Sequence, residues 1–77
     1  MQVARNDVLK LFGARVREHR LEKGWSQEQL ASKVGLDRTY IGGVERGERN
    51  LGLKNLFRLA DALGVEPSAL LDFGGRR

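Results

Sequence analysis

An all-α fold, a compact bundle of five short helices, is predicted by three features of this 77-residue chain. Apolar residues recur at helical period in every long segment, and no segment alternates apolar and polar residues at period two. Residues that start helices and glycines that stop them stand at the segment ends. The length suffices for one small domain, residues 1–77, and not for two.

The elements follow in order. Asn6 or Asp7 caps a first helix that runs to about Lys23, with Gly24 as its stop. Phe12, Val16 and Arg20 share one stripe of it, and His19 falls beside that stripe as a packed neutral histidine. Ser26 and Gln29 form a capping box at the head of a second helix, Gln27–Val34, and Trp25 staples onto Leu30. Leu30, Ala31 and Val34 face inward before Gly35 breaks the helix. Asp37 caps a third helix over residues 38–46, with Leu36 and Ile41 as a second staple and Gly47 as a left-handed stop. The fourth, Leu53–Leu63, turns Leu56, Leu59, Ala60 and Leu63 inward and ends at Gly64. Pro67 opens a short fifth helix that reaches about Leu71. Residues 1–5 and 74–77 read as frayed, which leaves an ordered core of about residues 7–73.

Composition narrows the function. With 14 Lys+Arg against 10 Asp+Glu, the net charge is +4, a lean toward a polyanionic partner. The chain has no cysteine, which excludes a disulfide scaffold and a thiolate zinc site. There is no signal-peptide apolar region and no run of membrane-spanning length, so a cytoplasmic location with no membrane partner is expected. An enzyme is not expected. The chain offers one histidine, no thiol nucleophile, no Gly-rich phosphate loop after a strand, and carboxylates scattered over helix surfaces. No metal, cofactor or small-molecule ligand is anticipated.

The second and third helices are separated only by Gly35, Leu36 and Asp37. Two helices joined by a three-residue turn with a glycine form the helix-turn-helix pattern, although any αα-hairpin can share that spacing. The stretch "SQEQLASKVGLDRTYIGGVERGERN", followed by "LFRLADALGV", carries more. It resembles the phage repressor and Cro-type helix-turn-helix family, and "LDRTYIGGVERGERN" looks most like the controller proteins of restriction–modification systems. The likeness runs from about Leu11 to Leu71.

That resemblance implies a sequence-specific double-stranded DNA-binding regulator, a homodimer on a (pseudo)palindromic operator, reading the major groove with the helix over residues 38–46. It also implies an ion pair between Arg20 and Glu45 that ties the first helix to the end of the third. Two departures stand out. Gly42 occupies a position where controller proteins usually carry serine, and Leu51-Gly52 replaces the common Pro-Ser before the fourth helix, which leaves a weaker cap. An antitoxin-type protein-interaction module and a phage-type repressor on the same fold remain alternatives.

Projection at 100° per residue puts Ile41 and Val44 on one side of the third helix and Thr39, Gly42, Gly43 and Arg46 on the other. Arg38, Thr39 and Tyr40 lie at its N-terminal end, the end that meets base edges in this motif. Arg38 suits guanine O6 and N7, and the Thr39 methyl suits thymine. Tyr40 suits a phosphate or a base step, with a half-buried packing role as its alternative. Gly42 and Gly43 would let the helix backbone press close to a groove; neutral glycines on a solvated face are the alternative. Gln27, Arg46, Arg49 and Asn50 are the expected phosphate contacts. The apolar residues left over near the C-terminus, Leu51, Leu71 and Phe73, are the expected dimer seam.

Overall fold

The computed structural model describes residues 5–74. Over them it forms five helices: α1 (Arg5–Glu22), α2 (Gln27–Val34), α3 (Arg38–Glu45), α4 (Leu53–Leu63) and α5 (Pro67–Leu70). No strand occurs among the described residues. The all-α expectation holds.

Local chemistry accounts for most boundaries. The Ser26 hydroxyl accepts from the Gln29 N–H at 3.0 Å while the Gln29 side chain accepts from the Ser26 N–H at 2.7 Å, so both halves of the capping box are made. Asp37 accepts from the Thr39 N–H at 2.7 Å and starts α3. At Gly52 no side chain caps α4, as its replacement of serine implies.

Three boundaries differ from the sequence reading. Helix α1 is already formed at Arg5, so neither Asn6 nor Asp7 caps it. Asp7 lies in the first turn, where a negative charge favours the helix dipole. Arg46 is the C-cap of α3 and not its last helical residue, and α5 stops at Leu70. Of the ends anticipated as frayed, 1–5 and 74–77, residues 1–4 and 75–77 lie outside the described residues, and Arg5 already belongs to α1.

Phe12, Val16, Leu30, Val34, Ile41, Val44, Leu59, Leu63 and Leu70 form one buried core contributed by all five helices. Each such side chain, fully buried, is worth about 1.5–3 kcal/mol of transfer free energy. Trp25 and Leu36 pack half-buried against this core, which fits their roles as staples. His19 flanks the α1 stripe as expected: its Nε2 is 3.1 Å from Arg15 Nη2, and its Nδ1 is 3.5 Å from Glu22.

What sets the pose of α3 is a close approach that helix periodicity does not encode. A Cβ at Gly13 in α1 would stand 2.2 Å from the Val44 carbonyl oxygen and 2.6 Å from that of Glu45. Glycine at that site lets two helix backbones touch. One turn of α1 earlier, Gly47 (φ +77°) leaves no room for a side chain against the Lys10 backbone. Helix α1 is therefore a cradle for the C-terminal end of α3.

Candidate nucleic-acid interface

The interface is built on the α2–turn–α3 unit, and three long side chains fasten the helices around it. Gly35 ends α2 with φ +80°, a left-handed conformation that costs glycine little. Arg58 of α4 reaches across and donates from Nη2 to the Val34 carbonyl at 2.6 Å, satisfying a helix-end acceptor. Arg15 of α1 donates to the Ala69 carbonyl at 3.0 and 3.3 Å and ties down α5.

The third is Arg20. Its Nε donates to Glu45 Oε2 at 2.7 Å and its Nη2 to Glu45 Oε1 at 3.0 Å, a two-pronged pair joining α1 to the end of α3. Nη1 donates to the Trp25 carbonyl at 2.7 Å, which fixes the approach to α2. Gln27 Nε2 donates to Glu45 Oε1 at 3.0 Å, so α2 joins the same cluster. Both charged side chains are buried, 8% and 2% exposed. Hydrogen bonding to Glu45 raises the Arg20 guanidinium above its usual value, against the opposing effect of burial. The ion pair implied by the family resemblance is present.

Gln27 departs from its expected role. Its amide is engaged with Glu45 and its Oε1 points toward Gly42, so the side chain braces α2 against α3 and is not held ready for a phosphate.

On the outer face, Arg38 occupies the first position of α3 and Thr39 the second, both exposed. A cation at a helix N-terminus opposes the macrodipole, so folding gains nothing from arginine there. The Arg38 side chain has no hydrogen bond or ion pair among the described residues. Tyr40 is half-buried and packs against the core, with the Arg49 guanidinium 5.8 Å from its ring centre. The half-buried packing role is realised.

The glycines need correction. Gly42 and Gly43 do face away from the hydrophobic core, but they are not bare to solvent: both are buried. A Cβ at Gly42 would meet Arg46 Nη1 at 3.1 Å and Gln27 Oε1 at 3.4 Å. One at Gly43 would meet Arg49 Cγ at 2.7 Å. The missing side chains leave room in which two arginines from beyond the end of α3 lie back along it. Arg46 is held there by Glu48, Nη2 to Oε1 3.1 Å, and Asn50 is exposed beyond them.

Among the residues expected at a dimer seam, Leu51 is half-buried against the core and Leu71 is 48% exposed. Phe73 is not left over: it is 7% exposed and belongs to the protomer's own core. The chain folds back after α5 and inserts this ring, an insertion that periodicity cannot reveal because Phe73 lies outside any helix. Leu53 and Phe57 on α4, 65% and 56% exposed, form the larger apolar surface.

Comparison with known proteins matches residues 16–70 to the helix-turn-helix family model. The control protein C.BamHI from Bacillus amyloliquefaciens is 51% identical, over 88% of this chain and 85% of its own. The chain belongs to the helix-turn-helix family and is a DNA-binding regulator of the restriction–modification controller type. Among solved structures, the controller protein C.AhdI from Aeromonas hydrophila superposes with a TM-score of 0.79 at 58% identity, covering 80% of this chain and 94% of that one. The controller protein C.Esp1396I, solved as a tetramer with its natural 35-base-pair operator, superposes with a TM-score of 0.76 at 42% identity, covering 84% of this chain and 86% of that one. For this helix-turn-helix chain, no described helix is long and apolar enough to cross a membrane.

Proposed function

We propose that the chain acts as a single DNA-binding unit, pairs with a second copy, and controls transcription by placing α3 in the major groove at each half of a (pseudo)palindromic operator. The observation that carries this reading is Arg38. It is exposed and without an ion-pair partner among the described residues, at the end of α3 that meets base edges in this motif. Arg38 and Thr39 then read bases, Tyr40 supports them, and Gly42 and Gly43 allow close approach. Arg46, Arg49 and Asn50 contact the backbone, while the Gln27 backbone N–H at the head of α2 replaces its side chain as a phosphate donor.

One reading head per chain favours a dimer, which places two heads about 34 Å apart, one turn of DNA. Leu53, Phe57 and Leu71, exposed on α4 and after α5, supply its apolar seam, with Leu51 at the edge. The operator-bound tetramer of C.Esp1396I supports the same mode here. Selection of duplexes from a random-sequence library tests it. The expected outcome is an inverted repeat with half-site centres one turn apart, bound by a species of twice the 8.6 kDa chain mass. A selected pool without repeat symmetry, or binding by a monomer alone, overturns it.

A further inference from the structure

The charge between α3 and α4 is arranged to suppress contact with DNA as well as to promote it. Gly47 turns the chain with φ +77°, and the Glu48 N–H closes onto the Gly43 carbonyl at 2.8 Å, which brings Glu48 back beside Arg46. The Arg46 guanidinium then sits between the Glu48 carboxylate, 3.1 Å away, and the space above Gly42. Arg49 lies the same way, its stem over Gly43 and its guanidinium over Tyr40. Both cations are parked on the face that a groove must occupy.

We propose that Glu48 is a specificity-determining positioning residue, which holds Arg46 off the phosphates in loose complexes and yields it only when α3 is fully seated; the proposal rests on the DNA-binding reading above. Pairing with Arg46 holds the Glu48 carboxyl below its usual range, so the pair is ionised at neutral pH. Both partners are more than half exposed, so solvent screens the pair and it opens readily.

Binding to unrelated DNA consists almost entirely of phosphate neutralisation with counterion release. An arginine already matched by a carboxylate adds little to it. In the seated complex the groove wall takes the space above Gly42 and Gly43. The two guanidiniums must leave it, and the DNA backbone beside α3 is where they go. Glu48 thereby weakens loose binding more than seated binding, and the ratio between them rises.

The test compares wild type, Glu48→Gln and Glu22→Gln on two duplexes: one selected by wild type from a random library, and one of the same composition with its sequence shuffled. Glu22, the last residue of α1, is 75% exposed and controls for the change in net charge. For Glu48→Gln, affinity for the shuffled duplex is expected to rise about threefold or more at low salt, with the log–log salt slope steeper by about 0.9, one additional phosphate. The selected duplex should gain less, with its slope nearly unchanged, and Glu22→Gln should show neither difference. Equal gains on both duplexes, no change in the shuffled-duplex slope, or the same change with Glu22→Gln overturns the role of Glu48 while leaving the DNA-binding reading intact. Failure of wild type to select any duplex overturns both.

Discussion

Gly13 and Val44 bring α1 and α3 into backbone contact: a single added Cβ at Gly13 would stand 2.2 Å from the Val44 carbonyl oxygen. The atom it meets is main chain within a helix, so it cannot swing aside. Helix α3 is thus positioned by a glycine in a different helix.

Gly13→Ala therefore has a predictable sign. Helix propensity alone favours alanine by about 1 kcal/mol. Overpacking against a rigid neighbour typically costs about 1–3 kcal/mol, and contact with backbone belongs at the upper end. The variant should melt several degrees lower, at about 4–8 °C per kcal/mol for a domain of this size. Thermal unfolding followed by circular dichroism checks this, and an unchanged or raised midpoint would mean that α1 slides without cost.

Arg20 and Glu45 should each be costly to remove. Truncating one partner of a buried pair leaves the other charge unmatched, at about 3–5 kcal/mol. Arg20→Ala also strips the Trp25 carbonyl of its donor, and Glu45→Ala strips Gln27 of its acceptor. The double variant should lose much less than the sum of the singles. Additive losses in denaturant titrations would show that the two side chains act independently.

The glycine pair gives a more selective outcome. Gly43→Leu must displace the Arg49 stem at its Cγ, so this exposed side chain has to swing as a whole to another rotamer, and stability changes by a balance of terms. The helix gains up to about 1 kcal/mol. Loss of the arginine over Tyr40 returns roughly 0.5–1 kcal/mol. The melting midpoint should move little while affinity for a selected duplex falls sharply. Gly42→Ser meets only the far end of Arg46 and the Gln27 amide, and should be tolerated in both assays. A Gly43→Leu protein that binds normally would show that this face stays clear of the groove.

Local chemistry was the legible part of this sequence. Ser26 with Gln29, Asp37, Gly35 and Gly64 act within a few residues of themselves, so caps and stops could be read from spacing and are found in place. The Arg20–Glu45 pair spans 25 positions and came from family resemblance, not from period. Contacts of the same range without such a guide are not legible in the sequence: Arg58 to Val34, Arg15 to Ala69, and Gly13 against α3. Gly13 did leave a signal, a glycine in mid-helix, but propensity says only that such a residue is costly and not what it approaches. The arginines over Gly42 and Gly43 escape a helical projection, which places Cβ directions of helix residues, whereas these long side chains come from beyond the end of α3 and lie back along it.

Arg38 separates base reading from backbone binding most directly. Affinities of wild type, Arg38→Ala and Arg49→Ala should be measured on the selected duplex, on every single base-pair variant of one half-site, and at several salt concentrations. Arg38→Ala is predicted to cost about 1–3 kcal/mol and to erase preference at one base pair per half-site, with the salt slope nearly kept. Arg49→Ala should weaken binding to all the duplexes alike and shallow the slope by about 0.9. An Arg38→Ala protein that loses affinity evenly, with every base preference retained, would contradict base reading from the N-terminus of α3.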